Sequence, residues 1–240
     1  MDSSAFGHPR HFRWLNRALL FLSVICGFSY LVTQNFQPYP GSVLLKTLSV
    51  ATLAAIAFRS SASALKWAPD NVILGMALAF SSMGDALLDL GPERFFIGGL
   101  LAFLVAHLIY ILLFVRNRAR PLKPTGWQLA FVAAVLVYSV LLSQWLAPGL
   151  GALAWPVMIY VCVITVMVVS AILAGFSKPW VCSGVILFLI SDSILAVNKF
   201  KSPVLLGGYL VWATYYLGQY GIAMGFLWEK MGEKPHRKAT

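Results

Sequence analysis

Asp85 and Asp192 each lie inside a stretch that otherwise reads as membrane-spanning helix, Asn71 to Asp89 and Val181 to Asn198. A carboxyl group at the centre of a spanning helix costs about 2.5–3.5 kcal/mol on insertion scales. Two or three such groups would consume a large share of the ~5–15 kcal/mol that holds a typical protein folded. That burden is borne where carboxylates face one another across a polar cavity and act there. The two acids are therefore the leading candidates for a catalytic pair.

Their neighbours extend the pattern. Ser81, Asp85 and Asp89 stand at i, i+4 and i+8 and make one polar stripe. Gly84 beside them permits close approach of a helix or a ligand. Asp192 and Lys199 lie two turns apart on one face, with Ser191 and Ser193 flanking the acid and Asn198 beside the lysine. Lys46 sits inside a further apolar run. Tyr209, Trp212, Tyr216 and Gln219 share a helical face, with Thr214 and Tyr215 beside it. Gln219 needs a polar partner at mid-membrane depth, so this face is expected to border the cavity. His107 and Tyr110 form an i, i+3 pair near the midplane. Plainer roles stay open: an interfacial Asp89, a hydrogen-bonded Asp85 tying helices together, helix-end caps at Asn198 and Lys199, a snorkelling Lys46, aromatic packing, and a core histidine.

Of the 240 residues, 60% are apolar and 11% charged, against about 25% charged in soluble domains. The chain reads as an all-α polytopic integral membrane protein, one transmembrane domain over residues 1–240, because lipid-exposed backbone must satisfy its own hydrogen bonds. Runs of about 16–22 apolar residues fit helices rather than barrel strands. The net charge of +10 gathers in loops and tails, which reads as topology signals beside anionic lipid and not as nucleic-acid binding. Cys26, Cys162 and Cys182 lie in apolar segments without CxxC spacing and read as small hydrophobes. Arg10, Arg13 and Arg17 ahead of Ala18 to Thr33 resemble a signal peptide, but no clear cleavage site follows, so an uncleaved first helix is expected.

Eight spans are expected, at roughly 15–33, 41–58, 70–90, 95–115, 126–146, 153–174, 179–198 and 204–228. Pro38, Pro40, Gly91-Pro92, Pro121, Pro124, Pro148-Gly149 and Pro203 break the chain between them. Lys and Arg number 14 on the N-terminal tail, alternate connections and C-terminal tail, against 3 on the other connections (Arg94, Lys199 and Lys201). Both termini are accordingly expected to be cytoplasmic. At 1.5 Å per residue, Asp85 lies about 8 Å and Asp192 about 9 Å below the outer ends of their spans, with Lys46 at a similar depth. Asp89 lies near the outer boundary, so four ionisable groups from three spans, Lys46, Asp85, Asp89 and Asp192, fall at one level in the outer half.

Only His107 among the four histidines, with His8, His11 and His236 in the tails, is available inside, so a three-histidine zinc site cannot be built. There is no G-x-S-x-G elbow, no HExxH and no phosphate-binding glycine loop. What remains is carboxylate acid–base chemistry.

Ser82-Met-Gly-Asp-Ala-Leu-Leu88, His107-Leu-Ile-Tyr110, Ser191-Asp-Ser-Ile-Leu-Ala-Val-Asn-Lys199 and Thr214-Tyr-Tyr-Leu-Gly-Gln219 resemble the hallmark segments of the YhhN-like lysoplasmalogenase family. The resemblance covers roughly residues 40–228. It implies hydrolysis of the vinyl ether bond of lysoplasmalogen, a single-chain alkenyl phospholipid, to a fatty aldehyde and glycerophosphoethanolamine or glycerophosphocholine. It implies Asp85 and Asp192 as the matching acids, with Asn198, Lys199, Tyr216 and Gln219 lining the site. The chemistry fits the residues: protonating the vinyl ether leaves an oxocarbenium ion, and one neutral and one ionised carboxyl divide the labour as in glycosidases. No metal or organic cofactor is required. Lys46, Asp89, His107 and Tyr110 are further candidates for substrate contact. The substrate and membrane lipids are the expected partners, in a bacterial inner membrane; the oligomeric state is left open. The competing classes are a proton-coupled transporter and a non-catalytic lipid-binding protein.

Overall fold

Each apolar stretch folds into one helix, and the breakers between them set its ends. The computed structural model describes residues 10–36, 39, 41–62, 68–91, 93–119, 121–177 and 179–232. It contains α1 (Arg10–Thr33), α2 (Ser42–Ala62), α3 (Pro69–Leu90), α4 (Phe96–Arg116), α5 (Gly126–Leu146), α6 (Ala154–Ala174), α7 (Trp180–Phe200) and α8 (Gly207–Gly232), with no strand among the described residues. Pro38, Pro40 and Pro92, the basic residues Lys66, Arg120, Lys178, Lys234, Arg237 and Lys238, and the histidines His8 and His236 lie outside the described residues.

Local chemistry accounts for the ends. Pro69 opens α3 with Asp70 in its first turn, where a fixed φ and a negative charge both suit a helix start. Arg116 at the end of α4 reaches Asp70 at 3.0 Å. At the start of α5 the Thr125 N–H donates to Gln128 Oε1 at 2.9 Å. Gly175 closes α6 with φ 75, a left-handed geometry that favours glycine. The eighth helix begins at Gly207, later than the expected 204, because residues before it make a turn. Leu206 has φ 55, and the Val204 N–H donates to Asn198 Oδ1 at 2.6 Å.

Seven helices, α1 to α7, are long and apolar enough to cross a membrane. The eighth has 26 residues but is diluted by Tyr209, Thr214, Tyr215, Tyr216, Gln219 and Tyr220. Its inner half explains why that is tolerated: Ile222, Ala223, Phe226 and Leu227 are buried by other helices, so no apolar face toward lipid is needed there. Glycines bring α7 and α8 into their closest approach. A Cβ on Gly184 would stand 2.7 Å from the Ile222 backbone nitrogen and 2.8 Å from the Gly218 carbonyl oxygen. By contrast α1 and α5 expose Trp14, Phe21, Phe28, Trp127, Val137 and Trp145, the surface a lipid solvent requires.

Short connections make successive helices antiparallel. Eight helices therefore put the start of α1 and the end of α8 at the same end of the bundle. The half near that end is filled by Leu74, Leu78, Phe114, Met167, Ile172 and Phe226. The opposite half, where α1, α3, α5 and α7 end and α2, α4, α6 and α8 begin, is hollow.

Candidate active site

The hollow half holds a cavity of about 730 Å³. Its polar wall comes mainly from α1, α2, α3, α7 and α8 through Tyr30, Lys46, Asp85, Asp89, Asp192 and Tyr215. Its apolar wall comes from α4, α5 and α6 through Phe96, Leu100, Phe103, Leu142, Val157 and Ile164. One chamber thus offers charge on one side and hydrocarbon on the other, the division an amphiphile requires.

Each of the three carboxylates takes a tyrosine hydroxyl. Tyr215 donates to Asp85 Oδ2 at 2.6 Å, Tyr160 to Asp192 Oδ2 at 2.6 Å, and Tyr30 to Asp89 Oδ1 at 2.7 Å. These lengths lie at the short end of O–H···O hydrogen bonds. Asp85 is the more enclosed of the leading pair, 2% exposed, while the Asp192 side chain is 15% exposed. Behind Asp192 the Tyr160 oxygen meets His107 Nε2 at 2.9 Å. A hydroxyl that donates to the acid accepts at its oxygen, so this bond requires the proton on Nε2. His107 Nδ1 then has no hydrogen-bond partner. The His107 Nε2 is also 3.6 Å from Asp192 Oδ2.

Lys46 and Asp89 form a loose pair, 3.7 Å apart, and the Lys46 ammonium rests 5.4 Å from the Tyr30 ring centroid. Lys199 reaches the Phe96 ring, at 5.2 Å from its centroid. Asn198 lines the cavity, but its oxygen holds the α7–α8 turn. Ser191 and Ser193 border the cavity too, with hydroxyls that donate to Val211 O and Leu189 O. Ser81, the inner member of the acidic stripe, is fully buried and its Oγ has no partner.

Six of the ten residues expected from the sequence to react with or contact substrate therefore meet in one chamber: Lys46, Asp85, Asp89, Asp192, Asn198 and Lys199. Four do not line it. His107 stands behind Tyr160. Tyr110 donates to Gln219 Oε1 at 2.6 Å, and this buried pair lies deeper in the bundle. Tyr216 turns towards α1, where its hydroxyl meets Ser23 Oγ at 2.9 Å and Gly27 leaves room for its ring. The face of α8 that meets the cavity is Gly208, Val211, Trp212 and Tyr215, rotated from the stripe of Tyr209, Trp212, Tyr216 and Gln219. The reason is tertiary: the Trp212 indole N–H donates to Gly27 O at 2.8 Å, which fixes how α8 turns against α1.

Sequence reasoning missed Tyr30 and Tyr160. Tyr160 carried a signal, as a polar hydroxyl in an otherwise apolar run from Val157 to Ile164. Among the described residues, no group of three His, Cys, Asp or Glu side chains is placed to hold a metal ion. Chemically, the chamber offers two carboxyls on separate helices for acid–base work and two ammonium groups suited to a phosphate.

The YhhN family model matches residues 41–226, from the turn before α2 to the last turns of α8. The chain is 31% identical over 213 residues to lysoplasmalogenase TMEM86A of Homo sapiens, covering 85% of each protein. It is 31% identical over 215 residues to lysoplasmalogenase TMEM86B of Homo sapiens, covering 90% of this chain and 87% of that protein. A lysoplasmalogenase of Mycobacterium bovis is 33% identical over 153 residues, 62% of this chain and 58% of that protein. No solved structure matches the chain. Lys46, Asp85, Asp89, Tyr160, Asp192, Lys199 and Tyr215 all fall inside the matched region, and the chain belongs to the YhhN family.

Proposed function

We propose that this protein is a lysoplasmalogenase: it hydrolyses the vinyl ether bond of a single-chain alkenyl glycerophospholipid, releasing a fatty aldehyde and the glycerophospho head. The observation that carries the reading is the pair Asp85 and Asp192, each held by a tyrosine hydroxyl, on one amphiphilic cavity. The relatives named lysoplasmalogenase supply the reaction class.

The steps follow from the bond. A carboxylic acid delivers a proton to the vinyl carbon remote from oxygen, and the remaining carbon–oxygen unit becomes an oxocarbenium ion. A carboxylate opposite stabilises that cation and directs water to the carbon bearing oxygen, taking a proton from the water. The hemiacetal then breaks its bond to the glycerol oxygen. The carboxyl that took the proton from water gives it to that oxygen, which leaves as the alcohol. The carboxylate that protonated the vinyl carbon takes the hemiacetal hydroxyl proton as the carbon becomes aldehyde. One water is consumed and both carboxyls return to their starting states. We assign the donor role to the enclosed Asp85. Asp192, with its more exposed side chain, directs water. Tyr215 and Tyr160 hold the two groups in position, and His107 acts through Tyr160. Lys46 and Lys199 face the phosphate, and the alkenyl chain lies along Phe96, Leu100, Phe103 and Ile164.

A transporter needs alternating access from both faces. The packed half beneath the cavity, with Leu74, Phe114 and Phe226 at its centre, favours a reaction chamber. We further propose that both termini are cytoplasmic in a bacterial inner membrane, so that the cavity receives lipid from the non-cytoplasmic leaflet. Arg17, Arg59, Arg116, Lys123 and Lys230 lie toward the end of the bundle where α1 begins and α8 ends, which supports this orientation through the positive-inside rule. The test of function is purified protein in detergent with lysoplasmenyl, 1-acyl and 1-alkyl lysolipids. Aldehyde appears from the alkenyl lipid without any membrane gradient; its absence would overturn the reading.

A further inference from the structure

We infer that the Lys46–Asp89 pair reads the headgroup as a zwitterion, and that its geometry selects ethanolamine over choline. The inference rests on the lysoplasmalogenase reading of the same chamber. Asp89 stands one helical turn, about 6 Å, outward of Asp85 along α3, which is the direction in which a glycerol backbone separates the reacting bond from the phosphate.

The pair is open to exchange. Its 3.7 Å separation exceeds hydrogen-bond length. Asp89 Oδ1 is engaged by Tyr30, while Oδ2 is buried without a hydrogen-bond partner. A buried carboxylate oxygen left so is costly. An incoming phosphate draws Lys46 to itself, and the headgroup's primary ammonium donates to Asp89 Oδ2. Two opposite charges of the lipid then replace one ion pair of the protein, and the orphaned acceptor is satisfied.

Choline fails this exchange because a trimethylammonium group has no N–H to donate. Its usual recognition is the open face of aromatic rings. Here the Tyr30 and Trp212 rings pack on each other with centroids 4.5 Å apart, and the Trp212 ring also stacks on Tyr216 at 5.9 Å. These rings are engaged with one another even after Lys46 moves to the phosphate, so a bulky cation finds no aromatic cage.

The test uses non-hydrolysable 1-alkyl lysophospholipids, so that binding is read without turnover. Purified protein binds the ethanolamine lipid about tenfold or more tightly than the choline lipid, the scale set by an unpaired buried polar group. Asp89→Asn reduces that ratio towards unity, while Lys46→Met weakens both lipids alike because both carry the phosphate. Equal affinities in the wild type, a comparison that needs no variant to fold, would overturn the inference. So would an Asp89→Asn protein, folded by thermal melt, that keeps the full preference. Aldehyde assays with the matching alkenyl lipids separate the two levels of argument. Discrimination in binding without aldehyde sinks the enzyme and leaves the headgroup site standing. Aldehyde from both lipids with equal KM and equal binding does the reverse.

Discussion

Replacing Asp192 by Asn isolates the charge at the centre of the proposed chemistry. The amide keeps the size of the side chain and an oxygen that accepts the Tyr160 hydroxyl, now at 2.6 Å, so Tyr160 and His107 keep their places. What is lost is a negative charge beside the oxocarbenium ion. A unit pair about 4 Å apart is worth about 4 kcal/mol at an effective dielectric of 20, which corresponds to roughly 10³-fold in rate. The 15% exposure of Asp192 admits water that screens part of this, so the expected loss in kcat is about 10²–10³-fold, within the range for positioned acid–base groups. Asp85→Asn removes the donated proton and is expected to cost at least about 10²-fold by the same measure. The assay is initial-rate aldehyde release from a lysoplasmenyl lipid in detergent, with thermal unfolding of each variant measured alongside. A folded Asn variant at either position with turnover within about threefold of wild type would refute the two-carboxylate mechanism, since these magnitudes leave no room for it.

Tyr160→Phe removes the donor that holds Asp192 and the acceptor of His107; kcat is expected to fall about tenfold or more, the scale of a hydrogen bond to a charged group. Preserved kcat with a raised KM would place Tyr160 in substrate binding alone. Gly184→Ala drives a methyl group against the backbone of α8 at 2.7–2.8 Å, and is expected to cost about 1–3 kcal/mol by overpacking. Gly126→Ala, with nothing within 4 Å, serves as the harmless control in thermal melts; equal melting of the two would dismiss the tight α7–α8 contact. For orientation, single cysteines at Ala147 and Lys123 in a background lacking Cys26, Cys162 and Cys182 are expected to label from the non-cytoplasmic and cytoplasmic sides respectively. Reaction of Ala147→Cys only from the cytoplasmic side would invert the topology and move lipid entry to the inner leaflet.

The number and placement of the helices were legible because lipid solvation is a local requirement. Any run such as Phe96–Val115 must be helical if it meets hydrocarbon, whatever its neighbours do. Lys46, Asp85, Asp89, Asp192 and Lys199 were legible for the complementary reason: a charge in such a run is costly wherever the helix sits. Strict alternation of direction then placed them at one level, and the chamber does gather them. Helical spacing also gave faces for α4 and α8, but a face says nothing of what covers it. Tyr216 and Gln219 share a stripe with Trp212, yet Tyr216 is bonded to Ser23 and Gln219 to Tyr110.

Tertiary structure alone decided the partners. Tyrosine is common in membrane helices as packing and as an interfacial anchor, so the lone hydroxyl of Tyr160 in its apolar run marks a polar group without naming its partner, and the run around Tyr30 does not mark one at all. Their roles as donors to carboxylates arise because α1 packs beside α2 with Tyr30 reaching across to α3, and α6 packs against α7, bringing groups 59 and 32 residues apart within hydrogen-bond reach. The rotation of α8 is likewise set by contacts with α1 and by glycines 184 and 218 facing across the α7–α8 seam. Transfer cost belongs to each residue singly and is written in its own stretch of chain. Which hydroxyl satisfies which acid depends on side-chain directions across helices, and exists only once the bundle has closed.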